Sequence, residues 1–144
     1  MKIDIYSHIL PLKYKESLYK IASSPRLKET IEAVPTLFDI EMRLEILDRY
    51  ECAQVLTLGL PPIETVADPK RALELSRIAN DEIAELLIKY PNYFVAGVAT
   101  LPMNDVDAAL SETDRCISEL KFRGVQIYSS INGKPLDSSE FLPL

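Results

Sequence analysis

Histidine is nearly missing from this sequence: its 144 residues hold one, His8, together with two cysteines, four glycines and no tryptophan. Each scarcity excludes a class of chemistry. Cys52 and Cys116 lie far apart with no CxxC pair, which fits reduced, buried thiols and leaves no zinc motif or disulfide framework. The glycines fall at 59, 97, 124 and 133, too scattered to build a glycine-rich phosphate loop. There is no GxSxG turn and only one candidate base, so a serine triad has no support. No run approaches the ~20 apolar residues of a membrane span. Met1 leads into an apolar strand without the basic and hydrophobic regions of a signal peptide, so a cytoplasmic location is expected. Sixteen Lys and Arg stand against 22 Asp and Glu, a net charge of -6 with no basic run. Nucleic acid and anionic membranes are therefore not expected partners.

What is present is a 47% hydrophobic chain, long enough for one domain with a sizeable core over residues 1–144. Lys2-Ile3-Asp4-Ile5-Tyr6 alternates polar and apolar residues as a strand does, and Pro11 closes the loop that follows. Residues 13–24 have helical character, and Pro25 and Pro35 bracket a less regular segment. Asp39 is an N-cap for a helix over 40–51, and Ala53 to Leu60 reads as a second strand stopped by Pro61-Pro62. Asp68, with Pro69 in the first turn, opens the clearest helix, whose Leu75, Ile78, Ala79, Ile83, Leu86 and Leu87 share a face. Tyr93 to Leu101 is a third strand, apolar at nearly every position as a strand covered on both faces should be. Asn104 or Asp105 caps a helix to about Lys121, and Gly124 to Tyr128 is a fourth strand. Asp137 and Glu140 have capping-box spacing, with Phe141, Leu142 and Leu144 beginning one more apolar helical face. Strands alternating with helices predict a parallel α/β sheet.

The lone imidazole falls just past the first strand, at the end of a parallel sheet where ligands bind. By the two-residue period Asp4 and Tyr6 share its face. Carboxylates such as Glu64, in the loop after the second strand, are candidates to join it, although a glutamate leading into a helix is ordinarily solvated. A hydrolytic zinc site needs three protein ligands and an open position, and the residues alone do not assemble that set.

Ile3-Asp4-Ile5-Tyr6-Ser7-His8-Ile9-Leu10-Pro11 resembles the opening of the amidohydrolase superfamily, whose first barrel strand ends in a metal-binding His-x-His pair. The likeness is to the aminocarboxymuconate-semialdehyde decarboxylase-like branch. It continues through Ala79-Asn80-Asp81-Glu82, Lys89-Tyr90-Pro91-Asn92-Tyr93-Phe94 and Ala99-Thr100-Leu101-Pro102. It runs on through Phe122-Arg123-Gly124-Val125-Gln126-Ile127, Asn132-Gly133-Lys134-Pro135-Leu136-Asp137 and Phe141-Leu142-Pro143-Leu144. The order of these stretches is kept along essentially the whole chain.

The resemblance implies an α/β chain equivalent to the N-terminal half of a TIM-type (β/α)8 barrel, about four parallel strands with intervening helices, truncated. It implies a metal-dependent carboxy-lyase (decarboxylase) or hydrolase acting on a small carboxylated or aromatic acid, with a divalent metal, zinc by preference, as cofactor. His8 carries over as a metal ligand, while Tyr6 stands where the family has the first histidine. A phenol is a poor ligand for a divalent ion at neutral pH, so Tyr6 is expected to fill the space of the lost ligand, and metal binding by this chain is doubtful. The family's remaining histidines and its aspartate come from later strands, so the chain alone is expected to be inactive. Three readings stay open: a fragment, a non-catalytic remnant acting as a binding or assembly module, or one half of a two-chain enzyme. A homo-oligomer or a complementary half-barrel chain is the expected partner, besides the small-molecule substrate. The reading frame downstream of the Leu144 codon separates these readings.

Overall fold

Residues 2–22 and 24–144 are described by a computed structural model. β1 (Lys2–Ile9), β2 (Cys52–Leu58), β3 (Phe94–Ala99) and β4 (Gly124–Val125) form one parallel sheet in the order β1-β2-β3-β4. The connections carry α1 (Leu12–Ile21), α2 (Pro25–Glu32), α3 (Ile40–Tyr50), α4 (Pro69–Lys89) and α5 (Val106–Ser118), with single 3-10 turns at Pro35–Leu37 and Ile63–Thr65. Sequential parallel order with helical crossovers, right-handed by the general rule, is the geometry of half an (β/α)8 barrel. A short antiparallel hairpin, β5 (Ser130–Ile131) with β6 (Lys134–Pro135), follows.

The helices cover one side of the sheet. Ile9, Leu56, Phe94 and Ala99 pack with Leu47 of α3, Ile83 of α4 and Cys116 of α5. Leu10 and Leu58 pack with Tyr14 and Leu18 of α1 and Leu75 of α4. Ile3, Ile5, Tyr6 and Val95, all on strands, remain exposed. No helix among the described residues is long and apolar enough to cross a membrane.

The three capping aspartates act as their sequence positions predict. Asp39, Asp68 and Asp105 accept the N–H groups of Met42, Arg71 and Ala108 at 2.9, 3.0 and 3.0 Å. Other expectations need correction. His8 lies inside β1 rather than beyond it, because pairing with Thr57 and Leu58 carries the strand on to Ile9. The helix expected over 13–24 ends at Ile21, with Ser23 outside the described residues. The segment between Pro25 and Pro35 is itself a helix, Pro25 sitting in its first turn where the missing N–H costs nothing. β4 is regular over two residues only, although Arg123 and Gln126 donate N–H groups to Gly97 and Ala99 at 3.0 and 2.8 Å. Asp137 begins no helix: residues 136–143 form turns, Glu140 pairs with Lys134 at 2.8 Å, and Phe141 is buried in the main core. Cys116 is buried as expected, but Cys52 is only half-buried.

Candidate functional site at the strand ends

β1 does not run evenly beside β2. Asp4 pairs with Gln54 and Ser7 with Leu56, three steps on one strand against two on the other, so an extra residue bulges out between them. The bulge breaks the alternation that would have put Asp4, Tyr6 and His8 on one face. Asp4 is turned onto its own strand, where its carboxylate accepts the Tyr6 N–H at 3.1 Å and the Ser7 hydroxyl. The Ser7 bond, then the Tyr6 N–H, hold this carboxyl below the usual range, with Gln54 and the Arg43 charge adding to them.

Tyr6 and His8 do meet. Their ring centroids lie 4.7 Å apart at 66°, edge to face, and Tyr6 stays largely exposed. The His8 Nδ1 is 2.9 Å from the Thr57 hydroxyl, on the residue with which His8 pairs in the sheet. Thr57 is almost fully buried, so it anchors the imidazole at one nitrogen.

Arg43 of α3 is a positioning residue that the sequence did not reveal. It is buried and reaches across to the strand: Nη1 donates to the backbone oxygens of His8 at 2.8 Å and Thr36 at 2.9 Å, and Nε donates to Gln54 Oε1 at 2.7 Å. Burial draws its pKa down to about 10, opposed by the charge of Asp4. An arginine on an amphipathic helix ordinarily reaches solvent, and nothing local distinguishes this one. Asp4, Tyr6, Ser7, His8, Arg43 and Gln54 border a groove of about 300 Å³ along the β1 edge.

Glu64 departs from expectation in the other direction. It sits in the 3-10 turn after β2 and is 7% exposed rather than solvated. Burial pushes its carboxyl above the usual range, its own N–H opposing. Its charge acts on Tyr14 of α1 and on Tyr128 beyond β4, and that of Tyr6 acts on Tyr128 as well. Beside it, Gln126 donates Nε2 to the Tyr128 hydroxyl at 3.4 Å.

These side chains do not by themselves fit a catalytic metal. Such a site takes three protein ligands, and among the described residues no three His, Cys, Asp or Glu side chains are grouped to hold an ion. β1 offers one imidazole, His8, with the Tyr6 phenol beside it.

The amidohydrolase family model matches residues 41–144. Over the whole chain the sequence is 31% identical to 2-amino-3-carboxymuconate-6-semialdehyde decarboxylase of Dictyostelium discoideum, of which it covers 45%. It is 35% identical over 90% of its length to γ-resorcylate decarboxylase of Polaromonas, covering 39% of that protein. The fold superposes with TM-score 0.80 and 26% identity on 5-carboxyvanillate decarboxylase of Novosphingobium aromaticivorans, a structure with manganese and 4-hydroxy-3-methoxy-5-nitrobenzoic acid bound, covering 99% of this chain and 46% of that one. The chain spans less than half the length of the relatives it matches.

Proposed function

Because the chain belongs to the amidohydrolase family, we propose that it supplies the first four strands of a decarboxylase site for small aromatic carboxylic acids. The observation that carries this reading is His8, held at the mouth by Thr57 in a chain whose relatives are decarboxylases from end to end of the match. In such a reaction the bond from the ring to the carboxylate breaks, carbon dioxide leaves, and the ring carbon takes a proton. The chain's part is to form one wall of the pocket, with Arg43 fixing the carbonyl of His8 and Thr57 fixing its ring. Preorganisation of this kind keeps a group in place without rearrangement during the reaction.

The rest of the wall corresponds to the part of the relatives that this chain does not cover. A divalent ion would complete such a site, zinc being the ion implied by the family resemblance, whereas manganese is the ion of the solved relative. This chain brings His8 as its single imidazole.

The test mixes the 144-residue chain with the part of the Polaromonas decarboxylase it does not cover, supplies γ-resorcylate with either ion, and follows carbon dioxide. Release from the mixture, absent from each part alone and lost in His8→Ala, is the expected result. Release that survives His8→Ala, turnover by the chain alone, or silence from the mixture with both ions overturns the reading.

A further inference from the structure

β1 is an outer strand of the sheet, and an outer strand ordinarily presents a row of unpaired N–H and C=O groups with which another chain can pair. The ladder shows which residues face outward. Lys2 donates its N–H to the Glu51 oxygen at 3.0 Å and Ile9 accepts the Gly59 N–H at 2.9 Å, so both turn their backbone toward β2. Successive residues turn to opposite sides, which puts Ile3 and His8 on the free side, the bulge between Asp4 and Ser7 absorbing the odd count.

The two halves of this edge are not alike. Before the bulge, Ile3 and Ile5 are exposed. After it, side chains of the same chain occupy the backbone groups. The Asp4 carboxylate accepts the Tyr6 N–H at 3.1 Å, and the Arg43 guanidinium donates to the His8 carbonyl at 2.8 Å. Arg43 is no loose surface group: it is 7% exposed, and bonds to the Thr36 oxygen and to Gln54 Oε1 fix it at 2.9 and 2.7 Å. Asp4, His8 and Arg43 border one groove of about 300 Å³, so the two closures act side by side. A strand laid along Tyr6 to His8 would have to displace a carboxylate from one group and a guanidinium from the other. Charge-assisted bonds are roughly twice as strong as the neutral backbone bonds that would replace them, so the exchange is uphill.

We propose that Arg43 and Asp4 close the β1 edge from Tyr6 to His8 against a strand of a second copy of this chain, leaving only the stretch before the bulge able to pair. The device keeps the strand end that carries His8 clear of a ladder and stops copies from stacking edge to edge along the whole of β1. It rests on backbone pairing alone and holds whether or not the decarboxylase reading does.

The experiment incubates the 144-residue chain, Arg43→Met and Asp4→Ala at high concentration, follows assembly with a dye that fluoresces on stacked strands, and maps amide hydrogen exchange in the assembled material. Arg43→Met keeps an apolar stem and removes the donor. Asp4 is exposed, so Asp4→Ala tests the device even where Arg43→Met fails to fold. Each folded variant is expected to assemble about tenfold faster or more, because pairing no longer requires the loss of a bond to a charged group. In assemblies of the unaltered chain the Tyr6 and His8 amides should exchange readily; the His8 amide becomes protected in those of Arg43→Met and the Tyr6 amide in those of Asp4→Ala. Asn80→Ala, whose bonds run to Thr100 and Glu112 rather than to β1, controls for general loosening and should leave both amides exchanging. The proposal is overturned if Tyr6 and His8 are already protected in assemblies of the unaltered chain, if either folded variant assembles no faster, or if Asn80→Ala accelerates assembly and protects these amides as much.

Discussion

Asn80 uses three of the hydrogen bonds an amide can make. Its Oδ1 accepts the Thr100 N–H at 3.0 Å, and its Nδ2 donates to the Thr100 oxygen at 3.0 Å and to Glu112 Oε1 at 2.8 Å. Glu112 is fully buried, and Arg115 reaches it with Nη2 at 2.7 Å. Burial pushes the Glu112 carboxyl up, but the bonds from Arg115, Asn80 and Cys116 together hold it below the usual range. Neighbouring Asp81 takes Arg115 at 2.7 Å. Asn80→Ala strands the Thr100 backbone inside the protein, and we expect a loss of about 2–4 kcal/mol by urea denaturation. Glu64 predicts a pH effect of opposite sense. Its pKa is raised by folding, so its favourable contribution is complete below the ordinary carboxylate value and is lost as pH rises through the folded one. Glu64→Gln should therefore raise the melting temperature at pH 7 and lose that advantage in acid; a gain that persists at pH 3 would show another cause. For metal, calorimetric titration with zinc or manganese should reveal no submicromolar site in the chain alone, and Tyr6→His should improve affinity only modestly, since two imidazoles still fall short of three ligands. The position of His8 near the strand end was legible from pattern and resemblance. The burial of Glu64 and Arg43 was not, because it depends on which distant loops close over them.

At the scale of elements, local chemistry was readable wherever a helix supplies its own start. Asp39, Asp68 and Asp105 each bond a backbone N–H three residues on, information confined to one turn of sequence. α1 shows the limit. Its first residue follows Pro11, which has no capping side chain, and the cap comes from α4: Glu82 accepts the N–H groups of Lys13 at 3.1 Å and Tyr14 at 2.8 Å. The Asn80-Asp81-Glu82 run thus ties one helix to three places, which no spacing rule announces. Removing the carboxylate in Glu82→Ala should cost about 1–2 kcal/mol and accelerate hydrogen exchange at Lys13 and Tyr14 far more than in α5. Equal acceleration in both helices would mean global loosening instead. Asp137 is the converse case. It has the right partner spacing, but the neighbouring hairpin and the burial of Phe141 draw the chain into turns, so tertiary contacts overrule a local signal.

The whole molecule presents a sheet with one side dressed in helices and two free edges. β1 and β4 are those edges, and Ile3, Ile5, Tyr6 and Val95 are exposed on the strands. Leaving even ~400 Å² of apolar surface open forgoes about 10 kcal/mol at ~25 cal/mol per Å², comparable to the stability of a small domain. The 144-residue chain expressed alone is therefore expected to self-associate, which light scattering after size exclusion measures directly. A monodisperse particle of 16.2 kDa with slow hydrogen exchange in both edge strands would refute it. The parallel order of the sheet also dictates what kind of association can terminate. If β4 of one copy meets β1 of the next with strands pointing the same way, each copy is head to one neighbour and tail to another, a heterologous contact. Two copies related by a half-turn about the axis of an eight-stranded ring satisfy both edges at once and growth stops. The same contact made with an axial offset never returns to its origin and winds into an open screw, so one slip in stagger separates a finite particle from a filament.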